Sequence, residues 1–233
     1  MLNESIIIVF EILILVMSVV IHEVSHGLAA FWQGDSTAKY AGRLTLNPFK
    51  HLDFWGSFVV PLLMIFTLGL SFGWAKPVPY NPYNLRDQRK GPALVGLAGP
   101  ASNIIVALIF GFSARLISIN YMAKLDIVGN LFNMDFEKLA FNVSGSFSSI
   151  FFLLLCMIAM INIFLAFFNL IPIPPLDGSK LLFSFLPMQT KTKIFLEQFG
   201  FTFLLLFIML FSGVLGFFLS LIRFLFFRYV IGM

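Results

Sequence analysis

The sequence predicts an all-α polytopic membrane protein, a helical bundle of about four to five transmembrane segments, and three observations carry that prediction. The 233 residues are 59% hydrophobic, only 11% are charged, and the mean hydropathy is +0.95. Five apolar stretches stand out, at about 5–32, 55–72, 93–119, 147–171 and 201–227, most of them long enough for a bilayer core. The charges gather in the loops between them. This composition excludes a soluble domain. The net charge of +4 does not point to nucleic acid, because the basic residues lie in short loops where they set orientation. One cysteine, Cys156, falls within an apolar run, which excludes an internal disulfide and a thiolate metal cluster. The 5–32 stretch is too long for a cleaved signal and lacks a basic leader, so the first helix is expected to stay in the mature protein.

Loop charge sets the topology. Residues 33–54 carry Lys39, Arg43 and Lys50 against Asp35 and Asp53, and 73–92 carry Lys76, Arg86, Arg89 and Lys90 against Asp87. Both loops are expected on the cytoplasmic side. Residues 120–146 hold Lys124 and Lys138 against Asp126, Asp135 and Glu137, as expected of an external loop. Segment 55–72 would then separate two inside loops. It is short and contains Gly56, Pro61 and Gly69, so a re-entrant or hairpin element between the first two full crossings is expected; a plain crossing is the alternative.

The first segment contains V-I-H-E-V-S-H-G at 20–27. Residues four apart share a helix face, so His22 and His26 can aim two imidazole nitrogens at one point, the bite a tetrahedral zinc ion requires. Glu23 can reach a water on that metal, which makes an H-E-x-x-H arrangement with a general base. A charged residue at a membrane helix centre costs about 2.5–3.5 kcal/mol, so the cluster needs a function. Two of the chain's three histidines fall at this spacing.

The 93–119 segment opens with G-L-A-G-P-A-S-N at 96–103, small residues that let helices approach closely, with Ser102 and Asn103 able to hydrogen-bond across the contact. The fourth segment ends in N-L-I-P-I-P-P-L-D-G-S-K at 169–180. Pro172, Pro174 and Pro175 cannot continue a helix, so the chain unwinds near Ile171. Asp177, followed by Gly178, suits either an ordinary turn or a third metal ligand beside an open fourth position. Parity favours the ligand. His22 and Asp177 both lie toward the C-terminal ends of their segments, so they share a depth only if one full crossing separates the two segments. Asn162 and Asn169, seven apart, share a face directed to the polar interior.

Four stretches then resemble one family: His22-Glu23-Val24-Ser25-His26-Gly27, Gly73-Trp74-Ala75-Lys76-Pro77-Val78-Pro79, Gly99-Pro100-Ala101-Ser102-Asn103, and Asn169 through Asp177-Gly178. Together they resemble the site-2 protease family of intramembrane zinc metalloproteases, in particular its small prokaryotic members without a PDZ or CBS domain. The resemblance implies one Zn2+ per chain held by His22, His26 and Asp177, with Glu23 as catalytic base and Asn169 as the residue that steadies the oxyanion or holds substrate. It implies a transmembrane protein or peptide as substrate, cleaved near the cytoplasmic side of the bilayer of a cell membrane. Leu176, between Pro175 and Asp177, departs from the family's shorter form. A single integral-membrane metalloprotease domain over 1–233 is expected, its core at about 5–180 and a C-terminal membrane segment at about 201–230. The alternating stretch 40–47 is expected either as an edge strand for an extended substrate or as a plain loop. His51 is expected to be a loop residue, and Glu11, eleven residues or roughly 16 Å before His22, cannot share its metal. Two other functions fit the same residues: a metal transporter, and an inactive relative that binds transmembrane partners.

Overall fold

Among the described residues, four long apolar helices, each long enough to cross a membrane, form the frame. In the computed structural model, which describes residues 3–53, 59, 76–186 and 188–233, the first is α1, Glu4–Trp32. Its N-terminus is capped by Asn3, whose side chain accepts the Ile6 N–H at 3.0 Å. One short turn, α2 at Thr37–Tyr40, follows. The second long helix, α3 at Gly91–Arg115, has Pro92 in its first turn, where no amide hydrogen is needed. Two short helices, α4 at Tyr121–Phe132 and α5 at Phe136–Val143, fill the expected external loop. The third long helix is α6, Phe147–Asn169, begun by a Ser146 cap and ended ahead of the three prolines. Then come α7 at Gly178–Phe185, α8 at Thr190–Gln198, and α9 at Gly200–Phe226, which is kinked at Phe211 and closes in a π turn over Phe227–Ile231. Among the described residues there is no strand.

Helix α3 sits between α1 and α6 and packs against both. Ser18 lies level with Asn103 and Asn162, and His26 with Val95, so α3 runs antiparallel to α1. The chain after α6 returns to His22 and His26 through Asp177, so α6 runs parallel to α1. The main apolar core joins Ile7, Ala107, Phe152, Leu153 and Met157 to Ile127 and Leu139 of the two short helices α4 and α5. Those two helices, not foreseen in the sequence, bury one face of each over the end of the bundle. Cys156 is buried in this core as a free thiol. By contrast, the most apolar window of α9 has no buried residue, so this helix offers most of its surface to lipid.

One carboxylate ties the loop after α1 to the segment before α3. Asp35, fully buried, accepts from the Thr37 N–H and hydroxyl, from the Asn81 N–H at 2.6 Å and from the Asn84 side-chain amide at 3.0 Å. Arg86 N–H also donates to the Gln33 carbonyl at 2.9 Å. Residues 33–53 and 76–90 therefore occupy the same end of the bundle. The expected re-entrant element at 55–72, apart from residue 59, lies outside the described residues. The stretch 40–47 is a loop and not an edge strand. Gly42, at φ 65°, turns the backbone, and the Arg43 guanidinium points inward to donate to the carbonyls of Lys50, Lys76 and Pro77, which overrides the alternation.

Burial raises the Asp35 carboxyl, but the hydrogen bonds from Thr37, Asn84 and Asn81 outweigh it and hold the group below the ordinary range. A depressed folded-state pKa gives stability that is present above the unfolded value of about 3.9 and lost as pH falls below it. Asp35→Ala is expected to lower stability by on the order of 2 kcal/mol at pH 7, because several donors lose a charged acceptor under a thin loop cover. The loss should shrink as the pH is taken below about 4. Thermal melts of the two purified proteins at pH 7 and at pH 3.5 check both statements.

Candidate metal centre

Helical spacing puts the two imidazoles of α1 edge to face, their centroids 4.6 Å apart at 88°. Both rings are buried. Asp177 reaches them from the break after α6: its Oδ2 lies 2.9 Å from His22 Nε2 and 3.0 Å from His26 Nε2. His22, His26 and Asp177 thus bring three candidate ligand atoms together around one point. Gly178 lets the chain turn there, since a Cβ at this position would stand 2.2 Å from the Leu170 carbonyl oxygen. Glu23 stands beside the pair, with one oxygen within 4.8 Å of both histidine donors. Ligands about 2.0–2.1 Å from a tetrahedral ion stand about 3.3 Å apart, so the two nitrogen–carboxylate distances need open by only a few tenths of an ångström to suit zinc.

The far sides of the rings decide what the near sides can do. His26 Nδ1 faces the Val95 carbonyl at 2.6 Å and His22 Nδ1 faces Asn103 Oδ1 at 2.5 Å, both acceptors. Each Nδ1 therefore carries hydrogen, and the lone pair of each neutral ring sits on Nε2, toward the carboxylate. Three acceptors facing one another repel unless a proton or a metal cation lies between them. The donor set fits a divalent metal of zinc's type.

Several residues of the site were not evident in the sequence. Lys180 Nζ bonds the other Asp177 oxygen at 2.8 Å, which leaves Oδ2 for the histidines. Burial alone would raise the Asp177 carboxyl, and the Lys180 cation opposes that rise. Burial likewise disfavours the Lys180 cation, but the Asp177 charge and hydrogen bond raise its pKa overall. Val78 donates its N–H to Glu23 Oε2 at 2.9 Å. Its neighbours are Pro77 and Pro79, so it holds the single amide hydrogen of that tripeptide. Gly96 and Gly99 do more than pack helices. A Cβ at Gly99 would stand 2.5 Å from His26 Nε2 and 2.6 Å from His22 Nε2, and one at Gly96 would crowd the Asp177 carbonyl. Asn169 lines the same cavity of about 200 Å3, with His22, Glu23, His26, Val78 and Lys180, but its amide nitrogen donates to the Leu165 carbonyl of its own helix at 2.9 Å. His51 lies apart, with Nε2 against the Thr45 carbonyl at 2.8 Å. A larger cavity of about 470 Å3 between α1, α6 and α9 holds Glu11 and Arg223 and no histidine.

The family model for peptidase family M50 matches residues 10–213, a span that contains every one of these site residues. The chain belongs to peptidase family M50. The Bacillus subtilis (strain 168) protein named "Putative zinc metalloprotease YwhC" is 35% identical over 210 residues, covering 89% of this chain and 82% of its own. The Mycolicibacterium smegmatis protein named "Putative zinc metalloprotease Rip2" is 32% identical over 93 residues, or 40% of this chain and 35% of its own. No solved structure matches the chain at a significant level. M50 membership, which is membership of the site-2 protease family, implies Zn2+ as the metal and puts this multi-pass chain among the membrane metalloproteases.

Because a methyl group at Gly99 would overlap the Nε2 atoms of both rings, Gly99→Ala is expected to push the imidazoles apart and weaken zinc binding by about tenfold or more, an effect of the size that ligand misorientation causes. Zinc content of the detergent-purified protein after dialysis against a graded chelator series checks it.

Proposed function

We propose that this M50 chain is an intramembrane endopeptidase that hydrolyses peptide bonds of membrane-spanning substrates near the cytoplasmic face. What supports the reading is the convergence of His22, His26 and Asp177 beside Glu23, within one cavity at the loop end of the bundle. Zinc held by the two Nε2 atoms and Asp177 Oδ2 would supply Lewis acidity, lowering the pKa of a water toward about 7 and polarising the scissile carbonyl. Glu23, aimed by the Val78 amide, takes a proton from the attacking water and returns it to the amine nitrogen as the C–N bond breaks. Asn169 supplies a neutral polar group to the substrate once its amide leaves the Leu165 carbonyl. Lys39, Arg43, Lys50, Lys76, Arg86, Arg89 and Lys90 all lie in the loops at the metal end, which supports a cytoplasmic assignment for that end. Transport of a metal would want polar groups spaced through the membrane thickness, whereas these gather in one cavity.

Glu23→Gln is expected to lower cleavage of a transmembrane substrate in proteoliposomes by about 10²–10⁴-fold with zinc still bound at the wild-type ratio. Cleavage at an appreciable fraction of the wild-type rate would remove Glu23 from the general-base role. For sidedness, Ser36→Cys and Gln88→Cys, each in a Cys156→Ser background, should react with an impermeant maleimide from the cytoplasmic side, and Asn133→Cys only from outside. Labelling of position 133 from the cytoplasm would invert the assignment.

A further inference from the structure

Asn103 and Asn162 are buried completely, and neither belongs to the ligand set or serves as the base. Their amides form one chain of hydrogen bonds that runs to His22. Asn162 Nδ2 donates to the Ile158 carbonyl at 2.9 Å and to Ser18 Oγ at 2.8 Å. A backbone carbonyl can only accept, so the nitrogen end of this amide is fixed, and Oδ1 is the atom turned to α3. There it accepts from Asn103 Nδ2 at 2.7 Å, and the same nitrogen lies 3.3 Å from the Ser18 carbonyl. With its nitrogen committed twice, Asn103 must present Oδ1 to His22 Nδ1. That oxygen can only accept, so the ring hydrogen sits on Nδ1 and the lone pair on Nε2.

We propose that Asn103, oriented by Asn162 and Ser18, is the positioning residue that fixes the tautomer and ring angle of His22. The inference rests on the reading of His22, His26 and Asp177 as the metal site. The two tautomers of a free imidazole are close in energy, and the wrong one aims an N–H at the metal position. For His26 a backbone carbonyl, that of Val95, makes the choice. For His22 the choice depends on side chains of two other helices. The relay leaves α1 at Ser18, crosses α6 and α3, and returns to α1 one turn later at His22. Every amide in it is satisfied, which is why so much polarity survives in an apolar bundle.

The test uses the full chain in lipid nanodiscs, with zinc affinity read by competition against a chelating indicator and with histidine-selective 15N spectra. The chain has only three histidines, so each imidazole can be assigned. Asn103→Leu should weaken zinc binding by about 10–100-fold, and Asn162→Leu in the same direction by about tenfold. Asn103→Asp keeps an acceptor facing Nδ1 but loses the donor to Asn162 and Ser18, so it should bind zinc more weakly than wild type and more tightly than Asn103→Leu. The zinc-loaded wild-type protein should show His22 protonated at Nδ1. Wild-type zinc affinity in Asn103→Leu, or equal losses in Asn103→Leu and Asn103→Asp, would overturn the proposal. If Asn103→Leu does not fold, the spectrum of the zinc-free wild-type protein decides alone, since there no metal dictates the tautomer and a neutral His22 protonated at Nε2 contradicts the relay. Undiminished zinc binding in His22→Ala and Asp177→Ala would instead overturn the metal-site reading, and the role of Asn103 with it.

Discussion

Three acceptor atoms, two imidazole nitrogens and a carboxylate oxygen, face one another inside an apolar bundle, and they are tolerable there only around a cation. Much of the architecture exists to hold that arrangement. The helical register of α1 supplies the two rings, and the parallel course of α6 brings its broken end to the same depth. The proline run ends that helix where the carboxylate is needed. Gly99 clears a space on α3 that any side chain would fill. The groups behind the rings supply acceptors, so the lone pairs can point inward.

Apolar contact alone could not set this register. In lipid, Leu against Leu is nearly as good one turn up as one turn down, and the driving force between helices is weak. Directional bonds among Ser18, Asn103 and Asn162 remove that freedom, because sliding any of the three helices breaks several of them at once. At the loop end Asp35 performs a related task, binding the exit of α1 to the entry of α3. The long helices are thus pinned at two levels, one at the depth of the metal and one above it, while α9 stays largely outside both.

What could be read from the sequence followed the range of the interaction. His22, Glu23 and His26 are neighbours along one helix, so spacing alone brought them together. Asp177, 155 residues from His22, was reachable only through topology, by counting crossings and matching depths. The orientation of the Asn103 amide, the Val78 N–H on Glu23, and the nearness of Gly99 to both rings depend on how separate segments meet, which no local pattern encodes. Alternation at 40–47 left strand and loop both open, and the loop is what forms, because Arg43 finds carbonyl acceptors in the segment before α3. Helices α4 and α5 were obscured by mixed polarity over short lengths. Asn169 lines the cavity, but its bond to its own helix could not be foreseen.

The tripeptide Pro77-Val78-Pro79 meets Glu23 through its backbone. Any side chain except proline at position 78 leaves the hydrogen bond available, so the contact is indifferent to most substitutions there. Position along the chain is another matter. A slip of one residue in either direction would set a proline nitrogen, which has no hydrogen, opposite the carboxylate. The loop therefore carries a registration mark with a single tooth: seated, it aims the carboxylate, and one step away on either side it offers nothing to hold.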